Sequence, residues 1–220
     1  MNVTPAILPH SFEELTEKLS SVEGLAPRVQ IDLCDGVFGR EKTWLPEGNE
    51  TLSSSFSYEF DIMTIDWKLY IMRAIMIGAT SIVAHVDGLT DTDISEMAEL
   101  ASQRKVALGI SISNDKPLEV HADMVRKAKA QYENVYIQVM GIEKVGEQGQ
   151  VFDESAVERV RMLKQQFGDM KVQVDGGMTP ETAARVVSAG AETIVSGSYI
   201  FNGEDPGGAI GRLSQVGEGV

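Results

Sequence analysis

The sequence predicts an α/β protein, a single (β/α)8 TIM barrel over residues 1–220. Three observations predict it. Short β-branched runs alternate with amphipathic stretches eight times, and such alternation means parallel βαβ units. The 220 residues suit one undivided domain, because α/β barrels run to this length whole. Two neighbouring strand ends late in the chain run into small-residue turns, Asp175-Gly-Gly177 and Ser196-Gly-Ser198. A barrel of this kind carries its phosphate site after strands 7 and 8. A doubly wound open sheet is the other arrangement that the alternation allows.

Val3 to Leu8 is the first strand. Ser11 then caps a helix to about Ser21, with Glu14 at the third position of a capping box. Arg28 to Leu33 alternates (Val29, Ile31, Leu33) and is the second strand. Residues 36–55 are polar, with Trp44 and Pro46. They are long for a loop, so a functional lid or a short irregular helix is expected. Tyr58 to Ile65 is the third strand, and Trp67 to Ile77 a helix closed by Gly78. Ser81 to Val86 is the fourth strand, followed by a helix from Asp91 to about Gln103. Val106 to Ile112 is the fifth, followed by a helix from Leu118 to Ala130. Val135 to Met140 is the sixth, and a Gly-rich, charged loop follows it. Asp153 is expected to cap the next helix, to Phe167. Lys171 to Val174 is the seventh strand. Thr179 and Pro180 are N-cap and first residue of a helix to Ala189. Ala191 to Ser196 holds the eighth strand, and a last helix covers about Asp205 to Leu213.

Formal charge is −14. That argues against nucleic acid and anionic membrane surfaces as partners, since both need a basic footprint. It leaves open a small anionic ligand, because a phosphate site is local and built largely from backbone N–H groups. The single cysteine, Cys34, rules out an internal disulfide. No apolar run approaches the ~18 residues that span a bilayer. Met1-Asn-Val-Thr-Pro5 lacks the basic stretch and long apolar segment of a signal peptide, so the cytoplasm is the expected compartment.

Catalytic groups of such a barrel sit at the C-terminal ends of its strands. Those ends carry Gln30, Asp32 and Asp35, Met63 and Asp66, His85 and Asp87, Ser111 and Ser113, Met140 and Lys144, Asp175, and Ser196 and Ser198. Asp32 and Asp175 stand out, because strands 2 and 7 flank strands 1 and 8 across the mouth. Two carboxylates on opposite sides of a bound molecule can remove a proton from one face and return one to the other, which inverts a carbon next to a carbonyl. Acid–base catalysis of this kind contributes ~10²–10⁴-fold. Gly176, Gly177, Gly197 and Ser198 would hold a phosphate through exposed backbone N–H groups. The bland alternatives are strand-end aspartates that only cap turns and ordinary glycine turns.

These residues resemble the ribulose-phosphate 3-epimerase family along nearly the whole chain. Pro5-Ala-Ile-Leu8 is similar to that family's Pro-Ser-Ile-Leu, and Gln30-Ile-Asp-Leu-Cys-Asp-Gly-Val-Phe38 to its His-x-Asp-x-Met-Asp-Gly-x-Phe. Asp61-Ile-Met-Thr-Ile65 stands where the family has Asp-x-His-Leu-Met, and Ala84-His-Val-Asp87 resembles Phe-His-x-Glu. Val174-Asp-Gly-Gly177 and Ser196-Gly-Ser-Tyr-Ile-Phe201 are similar to its phosphate-binding turns. The resemblance implies a small phosphorylated sugar as ligand and a homo-oligomer as assembly. It also implies a divalent metal held by two His and two Asp. Asp32 and Asp175 stand at the Asp positions, but Gln30 and Met63 stand at the His positions.

A thioether suits soft copper rather than a hard cation. Asp32, Asp175 and the Gln30 amide oxygen would hold Mg²⁺ or Mn²⁺ weakly, and Zn²⁺ loses its nitrogens. His10 and His85 are the remaining candidates to lean in. Without a cation, Lys144 is the best candidate to face the oxygens of a developing enediolate. Its loop, Met140 to Gln150, is one residue longer than the family's Val-Asn-Pro-Gly-Phe-Gly-Gly-Gln and lacks the Asn-Pro, although Gly149-Gln150 resembles that loop's end. Gln30, Met140 and Gln150 join the expected substrate-binding residues. Asp61-Ile-Met-Thr-Ile-Asp66 also has the Asp-x-Lys-x-x-Asp spacing of related phosphosugar decarboxylases and synthases, with Met63 at the lysine. The leading expectation is therefore a phosphosugar epimerase or isomerase. The alternatives are a phosphate-ester-binding barrel without turnover and a metal-independent lyase or isomerase.

Overall fold

A computed structural model describes residues 1–216. Strands β1 (Asn2–Ile7), β2 (Arg28–Cys34), β3 (Ser57–Met63), β4 (Ala79–His85), β5 (Ala107–Ile112), β6 (Val135–Met140), β7 (Val172–Asp175) and β8 (Thr193–Ser196) close in sequence order into one barrel. Every neighbouring pair is parallel, and β8 returns to β1 in the register Asn2↔Thr193 to Pro5↔Ser196. That closure excludes the open sheet. Helices α1 (Phe12–Ser21), α2 (Trp67–Met76), α3 (Asp91–Arg104), α4 (Leu118–Gln131), α5 (Ser155–Phe167), α6 (Pro180–Ser188), α7 (Ser198–Phe201) and α8 (Pro206–Gln215) surround it, one after each strand except β2, which a loop follows, and β8, which two follow. Among the described residues no helix is long and apolar enough to cross a membrane.

Side-chain alternation explains the barrel. On each strand one set of residues faces the helices and the other faces the lumen. Val29, Ile31 and Leu33 of β2, Phe60 and Ile62 of β3, and Ile137 and Val139 of β6 join the helix faces in one buried apolar sleeve. Their neighbours are polar. Gln30, Asp32, Glu59, Asp61, Ser81, His85, Gln138 and Gln173 are all buried. A barrel lumen is more often filled by branched apolar side chains. Here it is a hydrogen-bonded column.

The boundaries differ from expectation in a few places, each with a local cause. β3 stops at Met63 because Ile65 turns away, its N–H donating to Asp35 Oδ2 at 2.7 Å. Asp153 does not cap α5; it accepts from the Ser155 N–H at 2.9 Å, and Glu154 sits at the cap without a side-chain bond. Glu14 reaches past Ser11 to accept from the His10 N–H at 2.7 Å. The one-turn helix α7, directly after Gly197, is absent from the sequence expectation. Residues 36–55 contain no helix and form an irregular loop, tacked down by an Asp35↔Lys42 bridge and by the Trp44 N–H on the Pro9 carbonyl at 2.7 Å.

Candidate active site

Register places the carboxylates. Asp32 on β2 pairs directly with Asp61 on β3. Asp175 ends β7 beside Met140 of β6, across the lumen. One oxygen of each of the three carboxylates lies within 4.8 Å of the others. The Gln30 side chain lies beneath the pair and bridges it. Its Nε2 donates to Asp32 Oδ1 at 3.0 Å and to Asp175 Oδ2 at 3.0 Å. Asp61 is held on both oxygens, by His85 Nε2 at 2.8 Å and by Gln138 Nε2 at 3.0 Å.

Like charges this close and this buried cannot all ionise. Burial, then repulsion from Asp175 and Asp61, raises the Asp32 carboxyl well above the usual carboxylate range. Asp175 is pushed up to about 7 by burial and then by Asp61, against the Gln30 hydrogen bond and the His85 charge. Burial alone would lower the His85 imidazole. The adjoining Asp61 carboxylate outweighs it, and the pKa is raised.

The pocket above the pair continues into the two glycine turns. Gly176 and Gly177 take φ of 101° and 69°, a region that side chains enter only with strain. A Cβ on Gly177 would also come within 2.8 Å of the Phe152 backbone. The 141–153 loop packs on these turns from outside. It also meets the 36–55 loop, through the Arg40 N–H on the Val145 carbonyl at 3.3 Å and the Glu41 N–H on the Gly146 carbonyl at 3.2 Å. Gly39 and Gly146 close over the buried Cys34 sulfur, so that a Cβ on either would come within 3.0 Å of it. Burial and the nearby carboxylates push that thiol's pKa up. A cavity of about 50 Å³ remains. Typical ligand pockets run to roughly 300–1,000 Å³, so this one is narrow where the two loops meet over it.

Asp32, Asp175, Met140, Gly176, Gly177, Gly197, Ser198 and Gln150 line this one cavity, with Gln30 directly below. Lys144 is not brought there. It is exposed, and its backbone N–H and carbonyl are both taken by the Gln150 amide. His10 is also away from the mouth, exposed and 3.6 Å from Glu41. Sequence reasoning missed Asp61, Gln138 and Gln148. Asp61 stands two residues before Met63 and shares its lumen face, which the strand periodicity could have revealed. Gln148 had no such signal. Its amide lies so close to Gly197 that any side chain there would overlap it.

Asp32, Asp61 and Asp175 stand close enough to share an ion, but Gln30 and Met63, at the family's two His positions, do not supply its nitrogen ligands. Met63 is buried with its sulfur 3.7 Å from Cys34 Sγ, in an apolar cluster with Leu8. Four of the six carboxylate oxygens already take part in hydrogen bonds with Gln30, His85 or Gln138. The donor aimed between Asp32 and Asp175 is an –NH₂ group, not a lone pair.

A model of the ribulose-phosphate 3-epimerase family matches residues 2–201. Ribulose-phosphate 3-epimerase, cytoplasmic isoform, of Oryza sativa subsp. japonica is 27% identical over 220 residues, covering 99% of this chain and 94% of the relative. The ribulose-phosphate 3-epimerase of Bacillus subtilis (strain 168) is 24% identical, covering 97% and 98%. Among solved structures, 3-hexulose-6-phosphate synthase from Salmonella typhimurium shares the fold with a TM-score of 0.72 at 14% identity, over 99% of both chains. Orotidine 5'-monophosphate decarboxylase from Sulfolobus solfataricus does so at 0.68 and 16%, over 99% of this chain and 97% of the other.

Proposed function

The chain belongs to the ribulose-phosphate 3-epimerase family, and we propose that it epimerises a phosphorylated ketose, with Asp32 and Asp175 as acid and base. One observation carries the reading. Two half-buried or buried carboxyls face each other across the lumen at the floor of the same pocket whose wall is the pair of glycine turns. The phosphate rests on backbone N–H groups at Gly176, Gly177, Gly197 and Ser198, which fixes the sugar carbons over the carboxyls. One carboxylate takes the proton from the carbon beside the carbonyl. The C–H electron pair moves into the C–C bond, and charge builds on the carbonyl oxygen. The opposite carboxyl then gives its proton to the other face of that carbon, and configuration inverts. Net, one proton has crossed the lumen. Orientation of this kind accounts for much of the acceleration, because the reacting groups are already aligned.

Proton NMR of ribulose 5-phosphate in D₂O tests this. Deuterium entering at C3 with a new epimer is the expected result. Line broadening of the sugar without exchange would instead leave a phosphate-ester-binding barrel.

A further inference from the structure

We propose that the Gln30 carboxamide takes the place of the divalent cation in this chain, so that the acid–base pair is assembled by hydrogen bonds and works without metal. The inference rests on the reading of Asp32 and Asp175 as an acid–base pair.

A cation between two carboxylates would hold them at a fixed separation and draw their oxygens toward one point. A single –NH₂ group has two hydrogens and can do the same. Gln30 Nε2 lies 3.0 Å from an oxygen on each side, within normal hydrogen-bond range. The side chain is fully buried at 0% exposure, and its strand position is fixed by pairing with Ala6 on one side and Glu59 on the other. It has no open direction in which to swing aside.

The remaining donors point the same way. Position 63 offers a thioether packed in an apolar cluster under Phe38 and Val145. Asp61 is already held on both oxygens by His85 and Gln138. One atom argues the other side. Gln30 Oε1 is buried without a partner, and an amide turned end for end would aim it at an ion. That turn would give up both N–H bonds to the carboxylates and bury the –NH₂ where Oε1 now lies. The observed arrangement gives both carboxyls a donor, and leaving those two buried groups without one costs more than leaving one amide oxygen free.

Metal content decides the matter without reference to turnover. The purified chain is analysed for bound metals by mass spectrometry before and after dialysis against a chelator. It is then titrated with Zn²⁺, Mn²⁺ and Mg²⁺ while thermal unfolding is followed. The expected result is no stoichiometric ion and no rise in melting temperature. The double variant Gln30→His/Met63→His should gain about one Zn²⁺ per chain. A tightly held ion in the wild type, or a rise in its melting temperature with Mn²⁺ or Mg²⁺ at millimolar concentration, overturns the proposal. A folded double variant that takes no zinc also overturns it, since these two side chains would then not be what excludes the ion. Deuterium exchange separates the two readings. Exchange in the chelated protein supports both, and exchange only after metal is added sinks metal independence. Exchange in neither sample sinks the epimerase reading, while metal content still decides the present one.

Discussion

The lumen has two ends, and their charges are treated differently. At the lower end the Glu59 carboxylate is fully buried. Arg28 stands 2.5 Å away, Gln173 Nε2 donates at 3.0 Å, and the Tyr136 hydroxyl donates as well. Tyr136 is held neutral, its pKa raised by burial and by Glu59. One charge has one countercharge and three further donors, the third being the Ser81 hydroxyl at 3.4 Å. At the upper end three carboxyls share one imidazole and two amides. The two ends are joined. Gln173 Nε2 donates to Gln138 Oε1 at 2.6 Å, which leaves the Gln138 –NH₂ to face Asp61. The lower anchor thus fixes which way the upper amide points. A buried charge that is fully paired reads as structure, whereas a buried cluster of like groups with raised pKa reads as function.

The comparison is broken most strongly by removing one member from each end. Asp32→Asn and Asp175→Asn should each lower deuterium exchange by about 10²–10⁴-fold and should not lower the melting temperature, since each removes a member of a repulsive cluster. Arg28→Met should do the reverse. It leaves Glu59 buried without its countercharge, a loss of about 3 kcal/mol in chemical denaturation, while exchange in the folded fraction stays near wild type. If Arg28→Met abolishes exchange in folded protein, the two ends do not have separate roles.

Acidity sharpens the contrast next. A carboxyl whose pKa rises from its ordinary value of 3.8 to about 7 in the folded chain binds a proton that the unfolded chain releases. Stability from Asp175 is therefore present below about pH 4 and is lost as pH rises to about 7. His85, with its raised pKa, adds stability that is full below its ordinary value and is lost as pH climbs through the folded one. Both act in the same direction. Denaturation at pH 5 and pH 8 should show the wild type weaker at pH 8. Asp175→Asn should reduce that difference and gain about 1 kcal/mol or more at pH 8. A wild type equally stable at both values would mean that the carboxyl cluster is not strained by charge.

Most of the barrel was legible in the sequence because its two faces have different chemistry. Val29-Gln-Ile-Asp-Leu33 writes the alternation directly, and Asp32 and Asp175 fall at strand ends where period and turn chemistry agree. What was illegible depends on side chains meeting from distant strands. The strand period puts Asp61 on the lumen face with Met63, but its meeting with Asp32 comes from the register of β2 on β3, and Gln138 is aimed by Gln173. Gln30 is expected from the sequence to offer its amide oxygen to a cation or to join the substrate; that its amide nitrogen bridges two carboxylates depends on the barrel's curvature bringing β7 across from β2. The α7 turn was missed because four residues after a glycine carry no periodicity.

The smallest expected effect concerns the loop over the mouth. Lys144→Ala should change exchange by no more than about twofold, as for an exposed side chain with no partner at the site. Gln150→Ala should do more, because the Gln150 amide bonds the Lys144 N–H, the Lys144 carbonyl and the Glu147 carbonyl at 3.0, 2.5 and 2.7 Å. Without it the loop loses its internal brace. The Michaelis constant for the sugar should then rise while the first-order rate of bound substrate changes little. These two variants bear on the contrast between the ends, since among the described residues no Lys or Arg lines the cavity. A hundredfold loss in Lys144→Ala would mean that the loop closes differently over ligand and carries a cation onto the developing oxyanion. The upper end would then be charge-balanced only in the complex, and the carboxyl cluster would be half of a site that the sugar completes.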